Sequence, residues 1–447
     1  MQLRSTLILA LLFAALGAYL YLVEMPRDPA ASTNERLAAF DSTAVSRIEL
    51  EHPGRKIVIE RRGDTWRMTE PVDAPADQRG AENLIDAVEQ VEITRRLDGI
   101  DSPAIYGLDA PAATIRLDTP EKTVTRVRVG KKAPVGNSAY VQRDGDSDVL
   151  LVDASFLQRI DKKARDLRDK RVLIFDEGAL RGLTIEGPQG PITLSNDDGS
   201  WSITAPVRYA ADQASVRGVV STLRSMRATD FVDETSDHLE RYGLDAPTRR
   251  VILGLEGGKQ MELRIGTVRD GVLRVQSSLR PTVYAVPSWV GDSLDRDVSY
   301  FRDKTISHFA AEDAAAITIA DGADVLSLER QAENWVDSAG TAAVDSGAVD
   351  ELVREMASLQ GFEIAADTAD SLASYGLDPP ARTIRVSDGD AVELGAVSVG
   401  THAGDGATTE YAAVRPGTQT VFHLREAGYA RLTKSVTVPA PVAEESE

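Results

Sequence analysis

The sequence has no cysteine, which excludes disulfide bonds, thiolate nucleophiles, cysteine-ligated zinc and lipid attachment at an N-terminal lipobox. Aromatic residues are sparse, at 5% of 447 residues. Acidic residues outnumber basic ones, and the net charge of −20 is spread along the chain rather than gathered in one tail. We therefore expect no surface for the phosphates of nucleic acid.

Histidine is also scarce, and its five copies show no spacing that suits a zinc site. These residues are His52, His238, His308, His402 and His423. A metal site assembled in three dimensions stays open, but the sequence itself predicts neither a metal site nor any other cofactor.

Motifs for catalysis are missing as well. There is no G-x-S-x-G nucleophile elbow. "RDGDSD" at Arg143–Asp148 lacks the Gly and Glu positions of an EF-hand, and "GLEGGKQ" at Gly254–Gln260 lacks the spacing of a nucleotide-binding loop. We interpret both stretches as hairpin turns, and we predict no catalytic residue and no enzymatic activity.

One long uncharged run stands near the N-terminus, at Ser5–Val23. As a helix it would be roughly 28 Å long, close to the thickness of a bilayer core. With Arg4 on the cytoplasmic side, it predicts a single-pass anchor in the cytoplasmic membrane, with the bulk of the chain extracytoplasmic. A cleaved signal peptide is the alternative, although the run continues past the plausible cleavage site near Ala18.

A heptad recurs three times, as "IYGLDAP", "RYGLDAP" and "SYGLDPP". Its tyrosines are 136 and 133 residues apart, and three tryptophans recur with nearly the same spacing. The repeated residues are Tyr106, Gly107, Leu108 and Asp109; Tyr242, Gly243, Leu244 and Asp245; Tyr375, Gly376, Leu377 and Asp378; and Trp66, Trp201 and Trp335. Since their surroundings recur too, the chain contains three homologous units.

Between each Trp and its Tyr, apolar residues recur with helical spacing after a capping Asp at Asp77, Asp212 or Asp345. Stretches that alternate apolar and polar residues precede each helix and follow each heptad, as expected of antiparallel strands. The predicted fold class is therefore α+β: an N-terminal transmembrane helix followed by three tandem domains, each a mainly antiparallel sheet with packed helices.

The predicted boundaries follow from these repeats. They are a cytoplasmic N-terminus and anchor at 1–23, a tether at 24–40, repeat domains at 41–176, 177–309 and 310–434, and a disordered tail at 435–447. The third domain is divergent, because "NWVDSAG" lacks the T-x-P-V of the other two copies.

The heptad is best explained as a helix stop. The Gly takes a left-handed conformation, the Leu makes the hydrophobic return contact of a Schellman turn, and the Asp with its Pro leads into a strand. Binding by the Tyr and Asp is the alternative. An active site seldom needs three equal copies, whereas every copy of a repeated fold needs its turn, so we favour a structural role for the heptad. We also favour a structural role for the tryptophans, because a Trp in an alternating strand is usually part of the core.

These features resemble the bacterial family called domain of unknown function 4340, over roughly Val45 to Lys434 in three copies. The resemblance implies a gene neighbourhood with an export-type ATP-binding cassette transporter and its auxiliary protein, similar to those associated with gliding motility. It implies no catalytic residues, because the family has none established.

The leading hypothesis is a non-enzymatic, membrane-anchored accessory or scaffold protein of such a transport complex. Its partners would be the bilayer, through residues 5–23, and the transporter subunits or auxiliary protein. Two alternatives are an extracytoplasmic module that binds a glycan or peptide, and a hydrolase with a site in only one repeat.

Overall fold

The chain is described in a computed structural model at residues 35–98, 102–403 and 409–438. These residues are 44% strand and 22% helix, and their strands form three mostly antiparallel sheets. The predicted α+β class with a transmembrane helix is therefore wrong, because the described chain is predominantly antiparallel β. The helices had the clearest periodicity in the sequence, whereas the strands are more numerous but short. No helix within the described ranges is long and apolar enough to cross a membrane, and the segment predicted to do so, Ser5–Val23, lies outside them.

Two compact units divide the chain. The first ends at Arg171 and also includes Ala228–Phe231, and the second consists of Val172–Arg227 and the chain from Val232 onward. The first unit contains the first repeat, and the second unit contains the third repeat and most of the second.

The first repeat is built on a nine-stranded sheet. Its strands are β1 (Arg47–His52), β2 (Arg55–Arg62), β3 (Thr65–Glu70), β4 (Ala74–Pro75), β5 (Ile93–Leu97), β6 (Ala113–Asp118), β7 (Thr123–Lys132), β8 (Ser138–Arg143) and β9 (Val149–Asp153), and its helices are α1 (Gln78–Glu89) and α2 (Ser155–Ile160). The strand order is β4-β3-β2-β1-β6-β7-β8-β9-β5. Helix α1 thus connects one edge of the sheet to the other, and its apolar face joins the core that the sheet forms.

The second repeat has the same topology, with nine strands. Its elements are β10 (Leu180–Gly187), β11 (Gly190–Asp197), β12 (Ser200–Ala205), β13 (Tyr209–Ala210), α3 (Gln213–Ser225), β14 (Asp230–Asp233), β15 (Arg249–Leu255), β16 (Gln260–Arg269), β17 (Val272–Ser277), β18 (Val283–Pro287), α4 (Trp289–Leu294) and α5 (Val298–Phe301). The order β13-β12-β11-β10-β15-β16-β17-β18-β14 matches that of the first sheet strand for strand.

The third repeat has eight strands, in the order β21-β20-β19-β23-β24-β25-β26-β22. Its elements are β19 (Ala316–Asp321), β20 (Asp324–Gln331), β21 (Asn334–Asp337), α6 (Ser346–Ala357), β22 (Glu363–Ala366), β23 (Arg382–Ser387), β24 (Glu393–Ala403), β25 (Thr409–Val414), β26 (Val421–Leu424) and α7 (Glu426–Thr433). The described part of this repeat has no counterpart of β4 or β13. At that point the Asp337 carboxylate accepts hydrogen bonds from the backbone amides of Ala339, Thr341 and Ala342, which turns the chain away from the sheet edge.

Short 3-10 helices complete the described elements. They are Ser42–Ala44, Pro103–Tyr106, Ala164–Asp166, Glu177–Ala179, Leu239–Tyr242, Glu256–Gly258, Ala311–Asp313 and Leu372–Tyr375.

In each repeat, a segment near its C-terminal end hydrogen-bonds to the Asp just before the longest helix, which we call the main helix (α1, α3 and α6). In the first repeat the amide of Asp77 donates to the carbonyl of Leu167, and in the second the amide of Asp212 donates to the carbonyl of Phe301. The third repeat closes in the same way, with the amide of Asp345 donating to the carbonyl of Val436. Residues 435–438 of the predicted tail therefore pack on the repeat.

Part of the predicted tether is also packed. Leu37 is fully buried in the core of the first repeat, and its amide donates to the carbonyl of Val91. Arg36 forms a bridge with Glu92 beside it. The apolar residues of "ERLAAF" explain this contact, because they can be buried against the sheet.

Repeats 2 and 3, which share the second unit, are joined by the segment Phe301–Phe309. Ile306 of this segment is 1% exposed and lies in the core of repeat 3. Its amide donates to the carbonyl of Leu359, and its carbonyl accepts from Nη2 of Arg415 at 2.9 Å. The guanidinium of Arg302 pairs with the carboxylate of Asp367. The segment is thus held by repeat 2 at Phe301 and by repeat 3 at Arg302 and Ile306.

Candidate functional site

The repeated tryptophans lie in the cores of their repeats, with 3%, 7% and 2% of their surface exposed at Trp66, Trp201 and Trp335. In the second repeat, the amide side chain of Gln213 accepts from the backbone N–H of Trp201 at 2.9 Å and donates to its carbonyl at 2.9 Å. Gln78 makes the corresponding contacts in the first repeat, and Ser346 does so with its hydroxyl in the third. The first residue of each main helix therefore fixes the strand that carries the Trp.

The YGLD heptads form left-handed corners at the ends of 3-10 helices. Gly107, Gly243 and Gly376 have φ of 76°, 65° and 67°, a region that favours glycine. The following leucines are buried, and each donates its backbone N–H to the carbonyl five residues earlier. These leucines are Leu108, Leu244 and Leu377. The hydrogen bonds are those of a Schellman turn.

A second glycine in each repeat lies directly against the corner. A Cβ on Gly130 would come within 2.2 Å of the Tyr106 carbonyl oxygen. At Gly266 the same atom would come within 2.1 Å of the Tyr242 carbonyl oxygen, and at Gly400 it would meet a backbone oxygen of the corner at 1.9 Å. The strand glycine is therefore required by the corner, because a residue without a Cβ lets the two backbone segments come this close.

The tyrosines and aspartates of the heptads have different surroundings in the three copies. Asp109, Asp245 and Asp378 are all exposed. Tyr242 donates a hydrogen bond to Asp233, and burial together with this hydrogen bond raises the pKa of the Tyr242 hydroxyl. Tyr106 instead contacts the ring of Tyr140, and Tyr375 contacts the ring of His402. The heptads therefore share a backbone geometry but not the contacts of their tyrosine side chains.

The third repeat brings three potential metal ligands together: His402, Glu410 and His423, which we call the HEH cluster. Nε2 of His402 lies 3.1 Å from Oε2 of Glu410, and Nε2 of His423 lies 3.3 Å from the same oxygen. The two imidazole rings are stacked, with centroids 5.8 Å apart. The site thus consists of one carboxylate between two imidazoles.

Sheet register explains this arrangement. His402 on β24 lies directly opposite Glu410 on β25, and His423 on β26 lies opposite Ala412. Because Glu410 and Ala412 are two residues apart, they point to the same face of the sheet, and so do their partners. Directly opposite residues have Cβ atoms about 4.5–5.5 Å apart, so the three side chains converge.

The HEH cluster is partly shielded from solvent. The side chains of His402 and His423 are 15% and 19% exposed, and that of Glu410 is 36% exposed. The ring of Tyr375, from the third YGLD corner, contacts the ring of His402 edge-on at 5.3 Å. A second carboxylate, that of Glu363, lies 3.8 Å from Nδ1 of His423.

Two nitrogens of the HEH cluster are buried without a hydrogen-bond partner. They are Nδ1 of His402 and Nε2 of His423. The latter is close enough to Glu410 for an ion pair, but its geometry does not make a hydrogen bond.

The HEH cluster is specific to the third repeat. Two residues beyond the strand glycine, repeat 1 has Lys132 opposite Ala139, and repeat 2 has Val268 opposite Leu273. At the positions that match His423, these repeats have leucine and alanine, in the pairs Tyr140–Leu151 and Arg274–Ala285. Among the residues that the structure describes, these two repeats have no comparable set of ligands at this place.

The other histidines are not part of this site. His52 has its Nε2 3.4 Å from Asp161, and burial, followed by the nearby Arg55 guanidinium, lowers its pKa. His238 lies beside Glu240, and His308 is exposed.

The two stretches that we interpreted as hairpin turns lie between consecutive strands. Arg143–Asp148 connects β8 to β9, and Gly254–Gln260 connects β15 to β16.

Sequence reasoning missed the HEH cluster because its two histidines are separated by 21 positions and belong to different strands. Only the register of β24, β25 and β26 shows that these residues meet. The sequence contains no signal that identifies these strands as neighbours.

Comparison with known families gives one result. The family model described as domain of unknown function 4340 matches residues 66–202, 201–343 and 335–436. Each match begins at a repeated Trp, in the third strand of a sheet. The first two matches end within the next repeat, so the family unit is offset from the structural repeat. No curated protein matches the chain.

Proposed function

The chain belongs to the family described as domain of unknown function 4340, in three tandem copies, and we propose that it is a non-enzymatic accessory or scaffold protein of a membrane transport complex. The proposed partners are the subunits or the auxiliary protein of an export-type ATP-binding cassette transporter. This proposal extends the resemblance seen in the sequence.

The observation that carries the proposal is that the three repeats share structure without sharing chemistry. Their common residues are buried tryptophans and leucines, helix-capping aspartates, and glycines with left-handed or closely packed backbones. The shared aspartates Asp77, Asp212 and Asp345 each accept hydrogen bonds from backbone amides of their own helix, so these recurring carboxylates have a structural role. A fold that is repeated while its surface residues differ is more typical of a protein that binds partners than of an enzyme.

Rigidity within the second unit also supports this role. The segment between repeats 2 and 3 is not a free linker, because Ile306 is buried in the core of repeat 3 and Arg302 pairs with Asp367. The Arg302 side chain, 10% exposed, also stacks over the ring of Tyr209 at 4.1 Å. Two repeats fixed in this way can present their surfaces at a constant spacing.

We place the protein at the cytoplasmic membrane, attached through the uncharged run at residues 5–23, with its N-terminus inside and the repeats outside. Arg4 before the run and the absence of charge within it support this orientation. The net charge of −20 supports solubility of the repeats and disfavours nucleic acid as a partner.

The test is capture of the full-length protein from native membranes. The chain would carry a C-terminal affinity tag, the membranes would be solubilised in a mild detergent, and co-purifying proteins would be quantified by mass spectrometry. We expect an ATP-binding cassette subunit and its permease in stoichiometric amounts. A matched control replaces residues 1–24 by an unrelated membrane anchor, so that partners held by the repeats are retained and partners held by the anchor are lost.

Recovery of the tagged chain alone, at expression levels near the natural one, would refute the transport role and favour a glycan- or peptide-binding module. The buried tryptophans do not favour that alternative, because at matching positions they offer no row of exposed aromatic rings for a sugar.

A further inference from the structure

We propose that the HEH cluster is a binding site for one divalent transition-metal ion of the Zn²⁺ class. This inference goes beyond the proposed scaffold function and does not depend on it. It rests on the geometry of three side chains in the third repeat, on their donor chemistry and on a buried nitrogen that lacks a partner.

Two of the separations between ligand atoms match those expected around a single tetrahedral ion. Zinc binds imidazole nitrogen at about 2.0–2.1 Å and carboxylate oxygen at about 2.0–2.2 Å, so two ligand atoms of one tetrahedron are about 3.3 Å apart. The distances from Glu410 Oε2 to Nε2 of His402 and of His423 are 3.1 Å and 3.3 Å. The ligand atoms of all three residues lie within 4.8 Å of one another, so side-chain rotation can bring them onto one ion.

The donor set selects the class of metal. Two imidazoles with one carboxylate suit Zn²⁺ and its neighbours among the first-row transition metals, whereas Ca²⁺ and Mg²⁺ prefer sites made of oxygen. Three protein ligands leave a fourth position of a tetrahedral ion for water or for a group from a partner.

A nearby carboxylate can support one of the two histidines of the HEH cluster. Such a histidine almost always donates its other ring N–H to a carboxylate, a backbone carbonyl or water. The carboxylate of Glu363 lies 3.8 Å from Nδ1 of His423, on the side away from Glu410. This is an ion-pair separation and not a hydrogen bond. A small rotation of Glu363 would let its carboxylate accept from Nδ1 of His423 and leave the lone pair of Nε2 free for the ion.

The unpartnered Nε2 of His423 provides an independent reason. Burial of a polar atom without a partner is unfavourable, and such atoms in proteins usually have a function or a bound ion. A metal between His402, Glu410 and His423 would satisfy this nitrogen. An ion pair with Glu410 alone would not, because the geometry does not make a hydrogen bond.

The first test measures binding to the full-length protein, purified without a histidine tag and stripped of metal with a chelator. Titration with Zn²⁺ in competition with a chromophoric chelator gives the affinity, and elemental analysis after dialysis gives the stoichiometry. We expect one Zn²⁺ per chain and a higher melting temperature in its presence. Replacement by Co²⁺ should give the intense visible absorption of a tetrahedral site.

Variants then locate the ion. His402→Gln, Glu410→Gln and His423→Gln keep side-chain size, and each should weaken Zn²⁺ binding by at least about tenfold. Glu363→Gln should weaken it by about tenfold, as expected for a residue that orients a ligand. His308→Ala, which changes an exposed histidine of the same unit, is the matched control and should bind like the wild type.

The proposal would be overturned if the wild type took up no stoichiometric Zn²⁺, or if the three Gln variants bound it as tightly as the wild type. Equal loss in the His308 variant would also overturn it, because binding would then be spread over surface histidines. Should a Gln variant fail to fold, the wild-type stoichiometry and the Co²⁺ spectrum still decide the question.

Discussion

The substitution Gly266→Ala, in β16 of the second repeat, tests whether the corner that all three repeats share requires a glycine in the neighbouring strand. The new Cβ would lie 2.1 Å from the carbonyl oxygen of Tyr242 and 3.1 Å from Cδ2 of Leu244. The first distance is more than 1 Å shorter than a van der Waals contact, and because that atom belongs to the backbone it cannot rotate away. The strand or the corner must move.

The expected loss of stability is about 1–2 kcal/mol. Forcing an extra methyl group into a packed site costs about 1–3 kcal/mol. Replacing Gly by Ala recovers about 0.4–1 kcal/mol by restricting the unfolded chain. With an m-value of about 2 kcal/mol/M in urea, the unfolding midpoint should fall by roughly 0.5–1 M.

The assay is urea unfolding of the purified chain, followed by hydrogen exchange so that the second repeat can be distinguished from the others. The matched control is Gly182→Ala in the same sheet, where the new Cβ would lie 3.5 Å from the Leu194 carbonyl oxygen, an ordinary contact. We expect the control to unfold at or above the wild-type midpoint, and faster exchange of the corner around Gly243 only in the Gly266 variant. If the two variants unfold at the same midpoint, the corner does not require glycine at this position and our reasoning is refuted.

Three further predictions concern single polar side chains. Gln213→Ala removes the acceptor of the Trp201 backbone N–H, and it should cost about 1–2 kcal/mol and speed exchange of that amide. Arg302→Ala removes the ion pair with Asp367, and it should increase protease cleavage between repeats 2 and 3. Asp337, whose hydrogen bonds from the following turn lower its pKa to about 2, should stabilise the third repeat above about pH 4, its unfolded-state value. That contribution is lost as the pH falls through about 2, so Asp337→Asn should make unfolding of this repeat less dependent on pH between 4 and 2.

Each of these predictions has a contrary result. Unchanged exchange of the Trp201 amide would mean that water or another group replaces the Gln213 side chain. Cleavage that stays at the wild-type rate in the Arg302 variant would mean that Ile306 alone holds the segment. An acid dependence of the third repeat that is identical in the Asp337 variant would assign it to other carboxylates.

The parts of the fold that follow from local physics could be predicted from the sequence. The main helices lie after Asp77, Asp212 and Asp345, because a side-chain cap and a helical apolar spacing act within a dozen residues. The left-handed Gly of each YGLD corner belongs to the same group, since its φ is set by the residues next to it.

The parts that depend on strand neighbours could not be predicted. The α+β class was wrong because periodicity gives helices more weight than short strands, and the order of strands in a sheet has no local pattern. The role of Gln213 depends on a strand twelve residues earlier in the chain. The HEH cluster depends on the register of three strands, and no spacing within the sequence brings His402 and His423 together.

The burial of Ile306 limits whether the third repeat can be separated from the second or moved to another position in the chain. This residue follows the last strand and helices of the second repeat but belongs to the core cluster of the third, which also contains Trp335 and Val353. A third repeat produced on its own would therefore have to begin before Ile306, because starting at residue 310 would leave a hole in its interior. Placing the third repeat after any other segment would require that segment to fill the position of Ile306, so packing fixes the order of repeats 2 and 3.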